Sequence, residues 1–90
     1  MTEEEFRKAV QRDGYDEPVA RERRPGQVNS EHVHEFALRL LVLSGEMKII
    51  TPERTFVCQA GESDSVDTNT PHTEIAGEHG VHFLAARKTV

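Results

Sequence analysis

Residues 30–47, SEHVHEFALRLLVLSGEM, carry the pattern that decides the fold. Side chains on a strand alternate between two faces, so even and odd positions separate. From 32 to 43 the even set is His32, His34, Phe36, Leu38, Leu40 and Val42. Beyond its two histidines that set is wholly apolar and belongs against a core. The odd set, Val33, Glu35, Ala37, Arg39, Leu41 and Leu43, is polar in its middle. A register slip of one residue would turn the whole apolar set outward, so the pattern places both histidines inward, at the mouth of a cavity. At i and i+2 on one face they stand about 7 Å apart at Cα, and both imidazoles can reach one ion. By itself His-x-His reads equally as two partly exposed histidines at a strand end.

The rest of the chain sets the limits on that pattern. Ninety residues make a single domain, 1–90, with a thin core that oligomerisation would help. Eleven basic against sixteen acidic residues give a net charge of −5, which argues against nucleic-acid and anionic-membrane partners. The basic cluster Arg21, Arg23 and Arg24, beside Glu17 and Glu22, reads as a solvated strand edge. Cys58 is the only cysteine, so no intrachain disulfide forms and no oxidising compartment is implied. The start, MTEEEFRKAV, lacks the basic-then-apolar order of a signal peptide, and no apolar run approaches a membrane span of about 20 residues. A cytoplasmic protein is expected.

Thr2 and Glu5 have capping-box spacing, and Phe6, Ala9 and Val10 share one helical face, so 1–14 reads as a short helix ended by Gly14. Its apolar stripe has to dock on something. After Gly14 the period changes. Short apolar or alternating segments at about 17–24, 34–43, 46–50, 54–59, 63–68, 72–76 and 81–87 lie between turn signals such as SGE, TPER, QAGE and AGEHG. One helix followed by many short strands predicts an all-β sandwich or barrel over about 17–87.

The histidine pair also has a frame. Gly26 precedes His32 by five intervening residues and Gly45 follows Leu38 by six. Gly61 opens a second frame, in which Asp67, Asn69, His72 and Ala76 fall at fixed intervals. The spacing resembles the two motifs of the cupin superfamily, small single-domain members above all. The first motif is Gly, five residues, His-x-His, Glu four or five on, then Gly. The second is Gly, five residues, Pro-x-Gly, two residues, His, three residues, Asn. Leu38 stands where the glutamate is expected, Asp67 replaces the proline, Asn69 the second glycine and Ala76 the asparagine. Asparagine tolerates the left-handed backbone that a glycine there would supply.

The resemblance implies a small antiparallel, jelly-roll-like β-barrel behind a short N-terminal α-helix. It also implies a metal held inside by His32, His34 and His72. The metal would be a divalent transition metal, and imidazole ligands suit Fe, Zn, Ni, Co, Cu or Mn without choosing among them. Parity turns Glu35 outward. Glu74 shares the parity of His72 and is the acid that could reach the cavity, but the implied ligand set is the three histidines. With no carboxylate the ion keeps its full charge and favours an anionic ligand. Three functions follow. One is a metal-dependent, dioxygenase-like enzyme, an oxidoreductase or isomerase, acting on a small anionic organic substrate. The second is a non-catalytic metal- or ligand-binding or sensing module. The third is a metal-free structural barrel.

The remaining residues read more plainly. Phe36, Leu38, Leu40 and Val42 are barrel-lining core, Arg39 an outward charge paired with Glu35, and Cys58 a buried small hydrophobe. His79 and His82 are surface histidines. Leu41, Leu43 and Ile49 exceed what a small core needs, and are expected to form the contact of a homodimer.

Overall fold

The computed structural model describes residues 1–33 and 35–89, with the side chain of Glu31 excepted. Helix α1 spans Glu3–Arg12. The Glu5 amide donates to Thr2 Oγ1 at 3.1 Å and the Thr2 amide to Glu5 Oε1 at 2.8 Å, closing the capping box. Glu3, Glu4 and Glu5 crowd the first turn, where the helix dipole favours negative charge. The chain leaves through Gly14 at φ 83°, a conformation that L side chains adopt rarely.

Six strands follow: β1 (Val19–Arg23), β2 (Val28–His32), β3 (Phe36–Ile50), β4 (Thr55–Gln59), β5 (Ser63–Val66) and β6 (His72–Thr89). All pairings are antiparallel. Two strands are long, β3 with 15 residues and β6 with 18. The first part of β3 pairs with β5 and with the end of β6, which in turn pairs with β1. The second part of β3 pairs with β4 and with the start of β6, which pairs with β2. The result is two four-stranded halves, β1-β6-β3-β5 and β2-β6-β3-β4, joined through the same two strands.

The segments SGE and AGEHG are therefore bends inside strands and not the turns expected of them. The β3–β6 register shifts between Val42 and Ser44 and again between Gly45 and Met47. Gly45 and Gly80 both sit at φ 76°. A Cβ on Gly45 would overlap the Gly80 carbonyl, so the two strands pass closest where each bends. The bulges also change parity. In β3 the buried set is Leu40 and Val42 before the bend, then Met47 and Ile49 after it. In β6 it is His72, Glu74 and Ala76, then Val81 and Phe83.

The main core lies between the halves and gathers Leu40, Val42, Met47, Ile49, Cys58, Val66, Ala76, Val81 and Phe83. On the outer face of the first half, Leu41, Leu84 and Ala86 receive Phe6 and Val10 of α1. That docking corrects the dimer expectation at two of its three residues. Leu41 is covered by the helix and Ile49 lies in the core, both 1% exposed, while Leu43 is 40% exposed. Arg39 faces outward as expected but pairs with Asp13 at 2.6 Å and stacks on the Tyr15 ring, not on Glu35. Cys58 is buried, and His79 and His82 are exposed.

The region of the histidine pair departs from one continuous strand. β2 ends at His32, a bend follows at Glu35, and β3 begins at Phe36. His34 lies outside the described residues. The strand β2 itself was not expected, because VNSEH shows no apolar alternation.

Candidate metal centre

His32 ends β2 and His72 opens β6, and the register pairs them directly. Their ring centroids are 4.2 Å apart. His32 Nδ1 lies 2.6 Å from the Ser30 carbonyl and His72 Nδ1 lies 3.0 Å from the Thr70 carbonyl. A carbonyl only accepts, so each Nδ1 carries the proton and donates. Each ring then presents Nε2 as the ligating nitrogen, the arrangement by which a backbone carbonyl orients a metal-binding imidazole.

Both Nε2 atoms face Glu74, two residues beyond His72 on the same face of β6. Glu74 Oε2 stands 3.2 Å from His72 Nε2 and 3.8 Å from His32 Nε2. One ligand atom from each of the three residues lies within 4.8 Å of the others. Ligands about 2.0–2.2 Å from one ion have this separation. His72 is 1% exposed and Glu74 7%, with His32 half-buried above them. Two ring nitrogens and one carboxylate oxygen this close form a set that one cation can hold in common. The chemistry of this set suits a borderline ion taking nitrogen and oxygen ligands.

The sequence-derived ligands thus come together at His32 and His72, and the third, His34, lies outside the described residues. Glu74 is the residue that sequence reasoning left out of the ligand set. Its parity with His72 was the available signal. It brings a carboxylate from β6, while Leu38, at the position of the absent glutamate, is a half-buried apolar residue of the cavity wall. Asn69 has φ 59°, the left-handed conformation expected of the residue in that place.

The centre forms one end of a cavity of about 530 Å³. Val19, Arg21 and Arg23 of β1 line it, as do Asn29, Phe36, Leu38, Phe83 and Arg87. The reading of Arg21, Arg23 and Arg24 as a solvated edge holds at Arg21 and Arg24, both exposed, and fails at Arg23. Odd residues of β1 face the cavity, and Arg23 pairs with Val81 at its inner end. The side chain of Arg23 is 21% exposed and lies 4.0 Å from Glu74 Oε1. Its guanidinium lies over the Phe83 ring at 5.3 Å. In the amide orientation that satisfies both groups, Asn29 Oδ1 accepts from Arg23 Nε at 3.0 Å and Nη2 at 3.2 Å. Arg87 stacks on Phe36 at the mouth.

Comparison with known proteins bears on the fold. No family model matches the sequence, and no curated protein matches it. Solved structures do. A RmlC-like cupin from Shewanella frigidimarina superposes with a TM-score of 0.72 at 19% identity, over 82% of this chain and 66% of that one. The polyketide cyclase RemF from Streptomyces resistomycificus superposes with a TM-score of 0.71 at 25% identity, over 82% of this chain and 54% of that one. A cupin superfamily protein from Desulfitobacterium hafniense gives 0.73 at 19%, over 82% and 67%. The chain spans roughly half to two thirds of the length of these structures.

Proposed function

The protein has the cupin fold, and we propose that it binds a divalent transition-metal ion through His32, His34 and His72 together with Glu74, and presents it to a small anionic organic ligand. The observation that supports this reading is the convergence of two Nε2 atoms and one carboxylate oxygen in the wall of a cavity, with His32 and Glu74 among its lining residues. Serine and threonine carbonyls fix the imidazoles, and Arg23 holds the far oxygen of Glu74. Phe36, Leu38 and Phe83 supply apolar wall to the cavity. The chemistry a bound ion supplies here is Lewis-acid polarisation of a coordinated oxygen or, for a redox-active metal, activation of dioxygen.

A non-catalytic binding or sensing role is the second reading. Among the described lining residues, Glu74 is the one carboxylate away from the mouth, and metal ligation would commit it. Asp16 and Glu17 line the cavity but come from the segment before β1. A general acid or base separate from the centre would therefore have to come from that segment, among the described walls. The metal-free barrel is disfavoured by the buried donor set.

Elemental analysis of purified wild type, His72→Ala and Glu74→Gln tests the proposal. Wild type should hold close to one ion per chain, and His72→Ala substantially less. Glu74→Gln should keep its fold and show a smaller zinc-induced rise in Tm than wild type. Equal sub-stoichiometric metal in wild type and His72→Ala would refute the centre. Oxygen uptake by the iron-loaded protein with a panel of thiols, diketones and hydroxy acids then separates enzyme from binding module.

A further inference from the structure

We propose that Arg23 is the carboxylate anchor of the cavity, and that the ligand is a small organic acid whose apolar group lies against Phe36, Leu38 and Phe83. The inference rests on the cavity serving as the ligand chamber beside the proposed metal centre. Arg23 is a pre-set cation. Asn29 accepts from Nε and Nη2, the Glu22 carbonyl accepts from Nη1 at 3.3 Å, and Phe83 supports the guanidinium plane. A guanidinium carries five N–H groups, so these contacts leave one N–H on each Nη, a fork that a carboxylate can bridge with two parallel hydrogen bonds. Glu74 lies 4.0 Å away, close enough to hold the guanidinium by charge and too far to occupy its hydrogen bonds.

Charge points the same way. Glu74 and Arg23 offset each other. Arg21 and Arg87 add two cations nearer the mouth. Of the two acids there, Glu17 is already paired with Arg7 at 3.2 Å. The described lining thus sets Arg21, Arg23 and Arg87 against Asp16, Glu17 and Glu74, with Arg23 the least exposed of the arginines, and a divalent ion would tip the balance to positive. The walls beside Arg23 are apolar, and Leu38 widens that apolar surface where a carboxylate would have broken it. The match is one carboxylate joined to an aryl or branched-alkyl group.

Calorimetric titration with benzoate, its neutral analogue benzamide and inorganic phosphate tests this on zinc-loaded and on chelator-treated protein. Benzoate should bind wild type, with benzamide and phosphate weaker by more than about tenfold. Arg23→Met should weaken benzoate by roughly ten- to a hundredfold, and Arg23→Lys, which keeps charge without the fork, should fall between. Benzamide or phosphate binding as tightly as benzoate, undiminished benzoate binding by Arg23→Met, or no benzoate binding by wild type would each overturn the proposal. If Arg23→Met does not fold, the benzoate-to-benzamide ratio of wild type decides alone. Zinc content measured in the same samples separates the two readings. Benzoate selectivity without stoichiometric zinc sinks the metal centre and spares the anchor, and zinc without selectivity does the reverse.

Discussion

Glu74 is a carboxylate almost wholly removed from water, and such a group needs positive charge on every side from which water has been excluded. Arg23 supplies it on the Oε1 side, while on the Oε2 side two imidazole Nε2 atoms face the oxygen, where a bound cation would supply it. His32 and His72 were legible because their spacing to Gly26, Gly45 and Gly61 survives unaltered. Glu74 was less so, because parity places it inward without saying that its oxygen meets two ring nitrogens. Arg23 was misread for a different reason. In VARER a charged residue falls on both faces of the strand, so alternation gives no sign of which arginine faces in. Cys58 was read correctly from its place among apolar neighbours. Burial pushes its thiol up to about 11, with the charges of Asp64 and Glu62 acting in the same direction. It is therefore a protonated, inert thiol in the fold. A disulfide reagent at neutral pH should leave the native protein unlabelled and modify one thiol per chain after unfolding. Because the folded value is raised, the stabilisation is complete below about pH 8.5, where the unfolded thiol begins to ionise. It is lost as the pH rises from there through 11.

Elements announced themselves according to how local their signals are. Helix α1 depends on a capping box and one apolar stripe, both contained within ten residues, and it forms where expected. Phe6 is the anchor of that stripe, 2% exposed against Leu41, Leu84 and Ala86. Phe6→Ala should cost about 3–5 kcal/mol in urea unfolding. β2 escaped notice because its inward residues include Asn29 and His32, so polar side chains stand where the apolar alternation by which strands are recognised would be. β3 and β6 were each divided in two, because a glycine between polar neighbours reads as a turn. What separates a turn from a bulge is the partner strand, and that information is not local. Gly45→Ala puts a side chain at positive φ against the Gly80 carbonyl. The expected loss is about 2–5 kcal/mol, measured as a lower urea midpoint with an unchanged slope.

Across the whole molecule, the helix is fastened to the barrel by a polar clasp as well as by its apolar face. Arg39 donates to Asp13 at the helix end, Lys88 Nζ donates to the Asp13 carbonyl at 2.8 Å, and both cations lie over the Tyr15 ring. Hydrogen bonds from Arg12 and then Arg39 hold the Asp13 carboxyl below its ordinary value. A depressed folded value means that the clasp contributes above the unfolded value near pH 4 and fades as the pH falls through the folded one. Asp13→Asn should therefore lower Tm at neutral pH and flatten its acid dependence, with the two curves converging at the lowest pH in a thermal melt series. The all-β class was legible from the density of strands and turn signals, and the jelly-roll-like barrel from the resemblance carried by Gly26, Gly45, Gly61 and the histidines. The sharing of two strands between both halves was not, since it depends on contacts far apart in sequence. That sharing has a consequence for how the molecule comes apart. Neither half owns its central pair of strands, so neither can open while the other stays closed. Hydrogen-exchange protection should therefore fall together along β3 and β6 on both sides of Gly45 and Gly80, with the cavity wall and the helix platform opening as one unit. A domain of ninety residues built this way has no stable fragment to retreat to.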